Sequence, residues 1–216
     1  MQPKHTLAAA LGLAAALALA GCPSDPAAAP DAGARTRVVS VSDPARPATQ
    51  AADWCDVYFP AGSAPGLSLP PSAPLKPGAA ARPAPGRWLW LNLWATWCKP
   101  CLREMPLIQA FGARLREEGV AADNWYLSID EDQQALQAFL ASHPELTGQG
   151  SLRALAPERV EEWMKTLGLE EGTSIPVSVL AAPDGKVRCV RTGSIHDGDY
   201  PVVRAIFDEL ARPPAP

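Results

Sequence analysis

The sequence predicts an α/β fold: a central mixed sheet flanked by helices, with an N-terminal strand or hairpin extension. Three observations predict it. Residues 88–94, Trp-Leu-Trp-Leu-Asn-Leu-Trp, are apolar on both alternating faces, the pattern of a strand covered from both sides. Strand-like runs then alternate with runs whose apolar residues recur every three or four positions. The last two strand-like runs are joined by Pro183-Asp184-Gly185, which makes them a hairpin and the sheet mixed.

Of the 216 residues, not all are available for folding. Lys4 and His5 precede a stretch from Thr6 to Ala20 that is almost wholly Leu, Ala and Gly. A short basic start, an apolar stretch and small residues at its end read as a secretory signal over residues 1–21. A bilayer span needs about 20 apolar residues, so a membrane helix is the weaker alternative. Leu19-Ala20-Gly21-Cys22 resembles the bacterial lipoprotein cleavage box, in which the thiol accepts lipid. Lipidation at Cys22 would anchor the chain stably, since several acyl chains sit on one residue; the plain alternative is an ordinary signal with a chance cysteine. Residues 22–51, rich in Ala and Pro, form a linker. Its one strand-like island is Val38-Val39-Ser40-Val41.

Residues 52–86 form the extension. Trp54, Val57, Tyr58 and Phe59 suggest a short strand, with the segment around Leu67 and Leu69 as its hairpin partner. Pro70, Pro71, Pro74, Pro77, Pro83 and Pro85 then break regular structure. The compact domain occupies 87–216. After the strand at 88–94, a helix runs from Cys98 or Lys99 to about Glu118, with Leu102, Met105, Ile108, Phe111 and Leu115 on its inner face, Pro106 as a kink and Gly119 as its stop. Trp125 to Ile129 is a second strand. Asp132 caps a helix carrying Leu136, Phe139 and Leu140, ended by His143-Pro144. A short helix spans about 157–167 with Val160, Trp163, Met164 and Leu167 inward. The hairpin strands are Val177–Ala181 and Lys186–Thr192. A last helix, Tyr200–Leu210, turns Val203, Ile206, Phe207 and Leu210 inward.

The formal net charge of −4 becomes −5 once Lys4 leaves with the signal. Its sign, and the lack of any Lys/Arg cluster, argue against nucleic acid as a partner. An exported chain lives where disulfides persist. With Cys22 assigned to lipid, Cys55, Cys98, Cys101 and Cys189 remain, and four cysteines allow three pairings. A local Cys98–Cys101 pair leaves Cys55 with Cys189 as a structural disulfide; the alternative is two buried free thiols.

Trp97-Cys98-Lys99-Pro100-Cys101 carries the chemistry. A helix N-terminus presents unpaired N–H groups and partial positive charge. A cysteine placed there ionises readily, so Cys98 is the candidate nucleophile. Lys99 adds positive charge, and Pro100 costs least so early in a helix. Cys101, one turn deeper, would attack the mixed disulfide from inside. Glu104 shares a helix face with Cys101 and could take its proton; the plain alternative is a solvated helix glutamate. Trp94 and Trp97 read as packing residues that shape the approach to the thiols. Trp125 and Trp163 read as core, His143 as a capping or surface residue and His196 as a loop residue.

Metal is the main rival use of the cysteine pair. Structural zinc commonly takes two such pairs or a pair with histidines, and neither His143 nor His196 has a second histidine near it in sequence. A copper-handling protein could use Cys98, Cys101 and Met105 as soft ligands. A structural disulfide without turnover is a third reading.

The run from Leu91 to Pro106, Leu-Asn-Leu-Trp-Ala-Thr-Trp-Cys-Lys-Pro-Cys-Leu-Arg-Glu-Met-Pro, resembles the TlpA/ResA-like group of thioredoxin-fold proteins, the exported and often membrane-tethered branch. Ser174-Ile175-Pro176, with Asp184-Gly185 and Gly193, is a weaker second block, and the resemblance spans about residues 86–212. It implies a thioredoxin-like fold and a thiol–disulfide oxidoreductase. Cys98 would attack, Cys101 resolve, Glu104 act as acid/base, and Pro176 be the cis-proline facing the disulfide. A cis X–Pro bond is the minority state and needs tertiary support.

Asn92 stands where cytosolic thioredoxins have a buried aspartate, which favours Glu104 as proton acceptor. Ile175 before the proline favours a reductant. Val177-Ser178 departs from the threonine pair frequent in the group. No organic cofactor or metal is required. The expected partners are protein disulfide substrates and a membrane electron donor, on the periplasmic side, for a lipid-anchored monomer. The alternative function is a copper-binding chaperone or metal-centre assembly factor.

Overall fold

The computed structural model describes residues 53–60, 62–147 and 150–211. The signal, Cys22, the linker and the Val38–Val41 island lie outside the described residues. Strands β1 (Val57–Tyr58), β2 (Ser72–Pro74), β3 (Trp88–Trp94), β4 (Ala122–Ser128), β5 (Ser151–Ala154), β6 (Val177–Ala181) and β7 (Val187–Thr192) form one sheet. Their order is β1-β7-β6-β3-β4-β5-β2. The helices are α1 (Lys99–Glu117), α2 (Gln133–Ser142), α3 (Val160–Thr166) and α4 (Tyr200–Ala211). β3, β4 and β5 are parallel, and the remaining neighbours pair antiparallel.

β3 is central, and every residue of it is buried. Its side chains alternate between two cores, as strand geometry requires. Trp88, Trp90 and Trp94 pack with Met105, Ile108, Phe111 and Leu115 of α1 and Val203, Ile206 and Phe207 of α4. Leu89, Leu91 and Leu93 pack with Val160, Trp163 and Met164 of α3 and with Leu127, Leu152 and Val179 of the sheet. Two apolar faces explain why the run reads as continuous hydrophobicity. They also enclose β3 from both sides.

α1 is closed at its C-terminus by paired bonds that satisfy its last carbonyls. Gly119 N–H donates to Arg116 O and Val120 N–H to Leu115 O, both within 3.0 Å. The motif needs a left-handed residue, and Gly119 supplies φ 86°. Pro106 lies inside the helix. Asp132 caps α2 by accepting from Gln134 N–H and Ala135 N–H.

The extension differs from the expected hairpin. β1 and β2 lie at opposite edges of the sheet: β1 pairs with β7 and β2 with β5. Leu67 instead joins the 183–187 turn through its N–H to Gly185 O, and Gly66 bridges Lys186. Residues 53–86 thus contribute strands to the same sheet as 87–211. Pro74 takes part in β2 because an edge strand needs no donor on its open side. β5 was not anticipated at all. The helix expected over about 157–167 begins as a 3-10 turn at Pro157–Arg159 and becomes α-helical at Val160.

The strand β1 is fastened to β7 by covalent and polar links. Cys55 and Cys189 are joined as a disulfide, with Cα atoms 5.4 Å apart in space and 134 positions apart in sequence. Both are buried. Asp56 accepts from Thr192 N–H at 2.7 Å and from Thr192 Oγ1–H at 2.9 Å, and Arg191 donates to Trp54 O.

Candidate active site

Cys98 is the N-cap of α1 and Cys101 closes its first turn. They form a disulfide with Cα atoms 5.3 Å apart. Cys98 Sγ accepts from Cys101 N–H at 3.2 Å, so one of the orphan donors of the helix start points at the Cys98 sulfur. The first turn of α1 holds no acidic residue, which leaves its positive end unneutralised. Pro100 sits within that turn, where its missing N–H is not needed.

The Cys98 residue is 4% exposed and Cys101 0%. Cys101 is the deeper of the two, as its place one turn along the helix suggests, and Cys98 is itself buried in the disulfide form. Trp97 beside it is 66% exposed, so it is not a core packing residue; Trp94 is wholly buried. The ring of Trp97 therefore stands at the surface, one residue before Cys98. On the other side, Cys98 Sγ lies 3.9 Å from the carbonyl oxygen of Ile175, and the Ile175–Pro176 peptide is cis. Pro176 O accepts from Gly193 N–H, so this segment is tied to the end of β7.

Glu104 is 1% exposed, which removes the solvated alternative. Oε1 accepts from Asn92 Nδ2–H at 2.8 Å and Oε2 from Ile195 N–H at 2.7 Å. Burial dominates over these two bonds and pushes its carboxyl from 4.5 up to about 7. A carboxylate that titrates near neutrality can take a proton and return it. Folding therefore favours the protonated form. That contribution to stability is complete below pH 4.5 and is lost as pH rises through about 7. It amounts to roughly 3 kcal/mol. Urea unfolding of Glu104→Gln should show this as a gain over wild type of up to about 3 kcal/mol at pH 8 that vanishes near pH 4.5. Parallel pH profiles for the two proteins would contradict it.

Sequence reasoning missed the residues that hold the loop before Cys98. Asp130, buried at the end of β4, accepts from Thr96 N–H at 3.1 Å with both oxygens, from Thr96 Oγ1–H at 2.6 Å and from Ser128 Oγ–H at 2.8 Å. The available signal was Ser-x-Asp at the carboxyl end of a parallel strand beside β3, the place where α/β sheets build their sites. Ser178 and Trp90 were likewise missed as polar partners. His143 stacks on Phe139 and caps α2, and His196 caps the 3-10 turn before α4. Trp125 and Trp163 are both buried. Met105, weighed as a soft ligand, is buried in the core under β3. Among the described residues, no three His, Cys, Asp or Glu side chains cluster to hold a metal ion. No described helix is long and apolar enough to cross a membrane.

No protein-family model matches the chain. It is 30% identical over 102 residues to a thiol-disulfide oxidoreductase ResA of Bacillus cereus, covering 47% of this chain and 53% of that protein. Over 55 residues it is 51% identical to the ResA of Oceanobacillus iheyensis, 26% of this chain and 28% of the relative. Even in its longer matches the chain spans little more than half the length of these curated relatives. A crystal structure of a thiol-disulfide isomerase from Corynebacterium glutamicum superposes with a TM-score of 0.51 at 18% identity, over 69% of this chain and 98% of that one. This last likeness shows the fold, which is thioredoxin-like.

Proposed function

We propose, from the premise that this domain belongs to the ResA/TlpA-like branch of the thioredoxin fold, that it is a thiol–disulfide oxidoreductase acting on protein disulfides as a reductant. One observation carries the reading: a Cys98–Cys101 disulfide at a helix start, with a buried glutamate of near-neutral pKa one turn further along the helix.

In the reduced protein the Cys98 thiolate attacks a substrate disulfide. One substrate sulfur leaves as thiolate, and a mixed disulfide forms. Cys101 then gives its proton to Glu104, and its thiolate attacks Cys98 Sγ. The second substrate sulfur leaves, and Cys98–Cys101 closes. Two electrons have passed to the substrate; a partner dithiol must return them. The Ile175 carbonyl and exposed Trp97 flank the sulfur, and they supply a backbone and an apolar contact to an extended substrate segment. The dithiol carries the electrons itself, so no cofactor is assigned.

The sequence supports export and lipidation at Cys22, and on that reading the reaction runs at a membrane surface on the periplasmic side. A membrane electron donor follows from the oxidising compartment. Of the soft ligands that the copper-chaperone alternative would use, Met105 is buried in the core, and Cys98 and Cys101 are joined to each other. The deciding measurement is the reduction potential of Cys98–Cys101 against glutathione. A value near about −270 mV agrees with a reductant, and one near about −120 mV would make the protein an oxidant. Stoichiometric Cu(I) binding without insulin-reduction turnover would overturn the enzymatic reading.

A further inference from the structure

Behind the disulfide lies a chain of buried polar atoms. Trp90 Nε1–H donates to Ser178 Oγ at 3.0 Å. Asn92 Nδ2–H donates to the same oxygen at 3.3 Å and to Glu104 Oε1 at 2.8 Å. All four side chains are buried. Asn92 and Ser178 are direct partners across the β3–β6 pair. Trp90, two residues before Asn92, shares its face.

The chemistry of these groups fixes a direction. An amide has both donors and an acceptor, so Asn92 could present either end to Glu104. An ionised carboxylate accepts only, and an amide oxygen turned toward it would repel it. An indole only donates, so Trp90 holds Ser178 Oγ as an acceptor on this side. That oxygen then takes the second N–H of the Asn92 amide, and the amide nitrogen stays between Ser178 and Glu104. Asn92 Oδ1 is left buried with no partner. A lone buried acceptor is costly, so the orientation is retained against that cost.

We propose that Trp90 and Ser178 are positioning residues for Asn92, holding its N–H toward Glu104 so that the carboxylate is poised to take the proton of Cys101. The proposal rests on the proton-acceptor role assigned to Glu104 above. In the step concerned, Cys101 Sγ–H breaks, an O–H forms on Glu104, and the electron pair stays on sulfur. Without the relay the amide is free to turn, the carboxylate loses a charge-assisted donor, and Glu104 keeps its proton to higher pH. Among the described residues, Tyr126 on β4 faces Glu104, and burial holds its phenol neutral; Cys101 lies three positions before Glu104 on α1.

The test is the pH dependence of the resolving step in the full chain, measured by stopped flow with insulin as the disulfide substrate. Ser178→Ala should move the acid limb upward by roughly one pH unit, the equivalent of one hydrogen bond to a charged group. Ser178→Thr, which keeps the hydroxyl, should restore it. Trp90→Phe, which keeps a ring in the core and removes only the donor, should shift the limb in the same direction. A limb that stays in place in both Ser178→Ala and Trp90→Phe overturns the relay, as does failure of Ser178→Thr to rescue. Glu104→Gln separates the two levels: it should abolish the limb. If the limb persists there, the role of Glu104 itself is wrong; if it vanishes there while the relay variants leave it in place, only the relay falls.

Discussion

Replacing Cys98 by serine is expected to reduce insulin-reduction turnover to the uncatalysed rate. The helix start that stabilises a thiolate cannot ionise a serine hydroxyl at neutral pH, and the donated Cys101 N–H then faces a neutral oxygen. The fold should survive, because the pair spans one helical turn and closes a loop too short to constrain the unfolded chain strongly. Cys101→Ser separates the two thiols. It leaves the first attack intact and should accumulate the mixed disulfide, visible by mass spectrometry as a covalent adduct on Cys98. Turnover in Cys98→Ser within roughly ten-fold of wild type would remove the assigned nucleophile.

The other large effect is on stability. The Cys55–Cys189 link spans 134 positions, and a loop of that length removes about 5 kcal/mol of chain entropy from the unfolded state. Cys55→Ala with Cys189→Ala should therefore lower the unfolding free energy by about that amount in urea, with a lower midpoint. Both sulfurs are buried and remote in sequence from the exchange pair, so the bond is suited to a permanent role. A double variant within about 1 kcal/mol of wild type would show that the polar clamps of Asp56 and Arg191 suffice.

The parts of the fold that were legible are those whose burial is local in sequence. Trp88–Trp94 shows both of its apolar faces within seven residues. The inner faces of α1 and α4 repeat at helical spacing. Asp132 and Gly119 mark helix ends by their own chemistry. Strand β5 was hidden because Ser151-Leu152-Arg153-Ala154 is only four residues long and carries a charge. β2 was hidden by its proline. The pairing of β1 with β7 joins residues more than 130 positions apart, and no short-range pattern records it.

At the site, the spacing of Cys98, Cys101 and Glu104 exposed the motif but not its environment. The burial of Glu104 depends on Ile195, 91 positions later, and on Asn92 from another element. The exposure of Trp97 could not be read either. An aromatic beside a helix start serves as core or surface according to which way the loop turns, and Asp130, two residues beyond β4, holds that loop through Thr96.

The borders of the sheet carry one more consequence. β1 is two residues long and β2 three, the latter ending in Pro74. Such borders offer an incoming extended chain almost no ladder to extend, since templated strand addition needs a run of free donors and acceptors. An extended chain that meets either border therefore finds too short a run of free groups to add itself as a further strand.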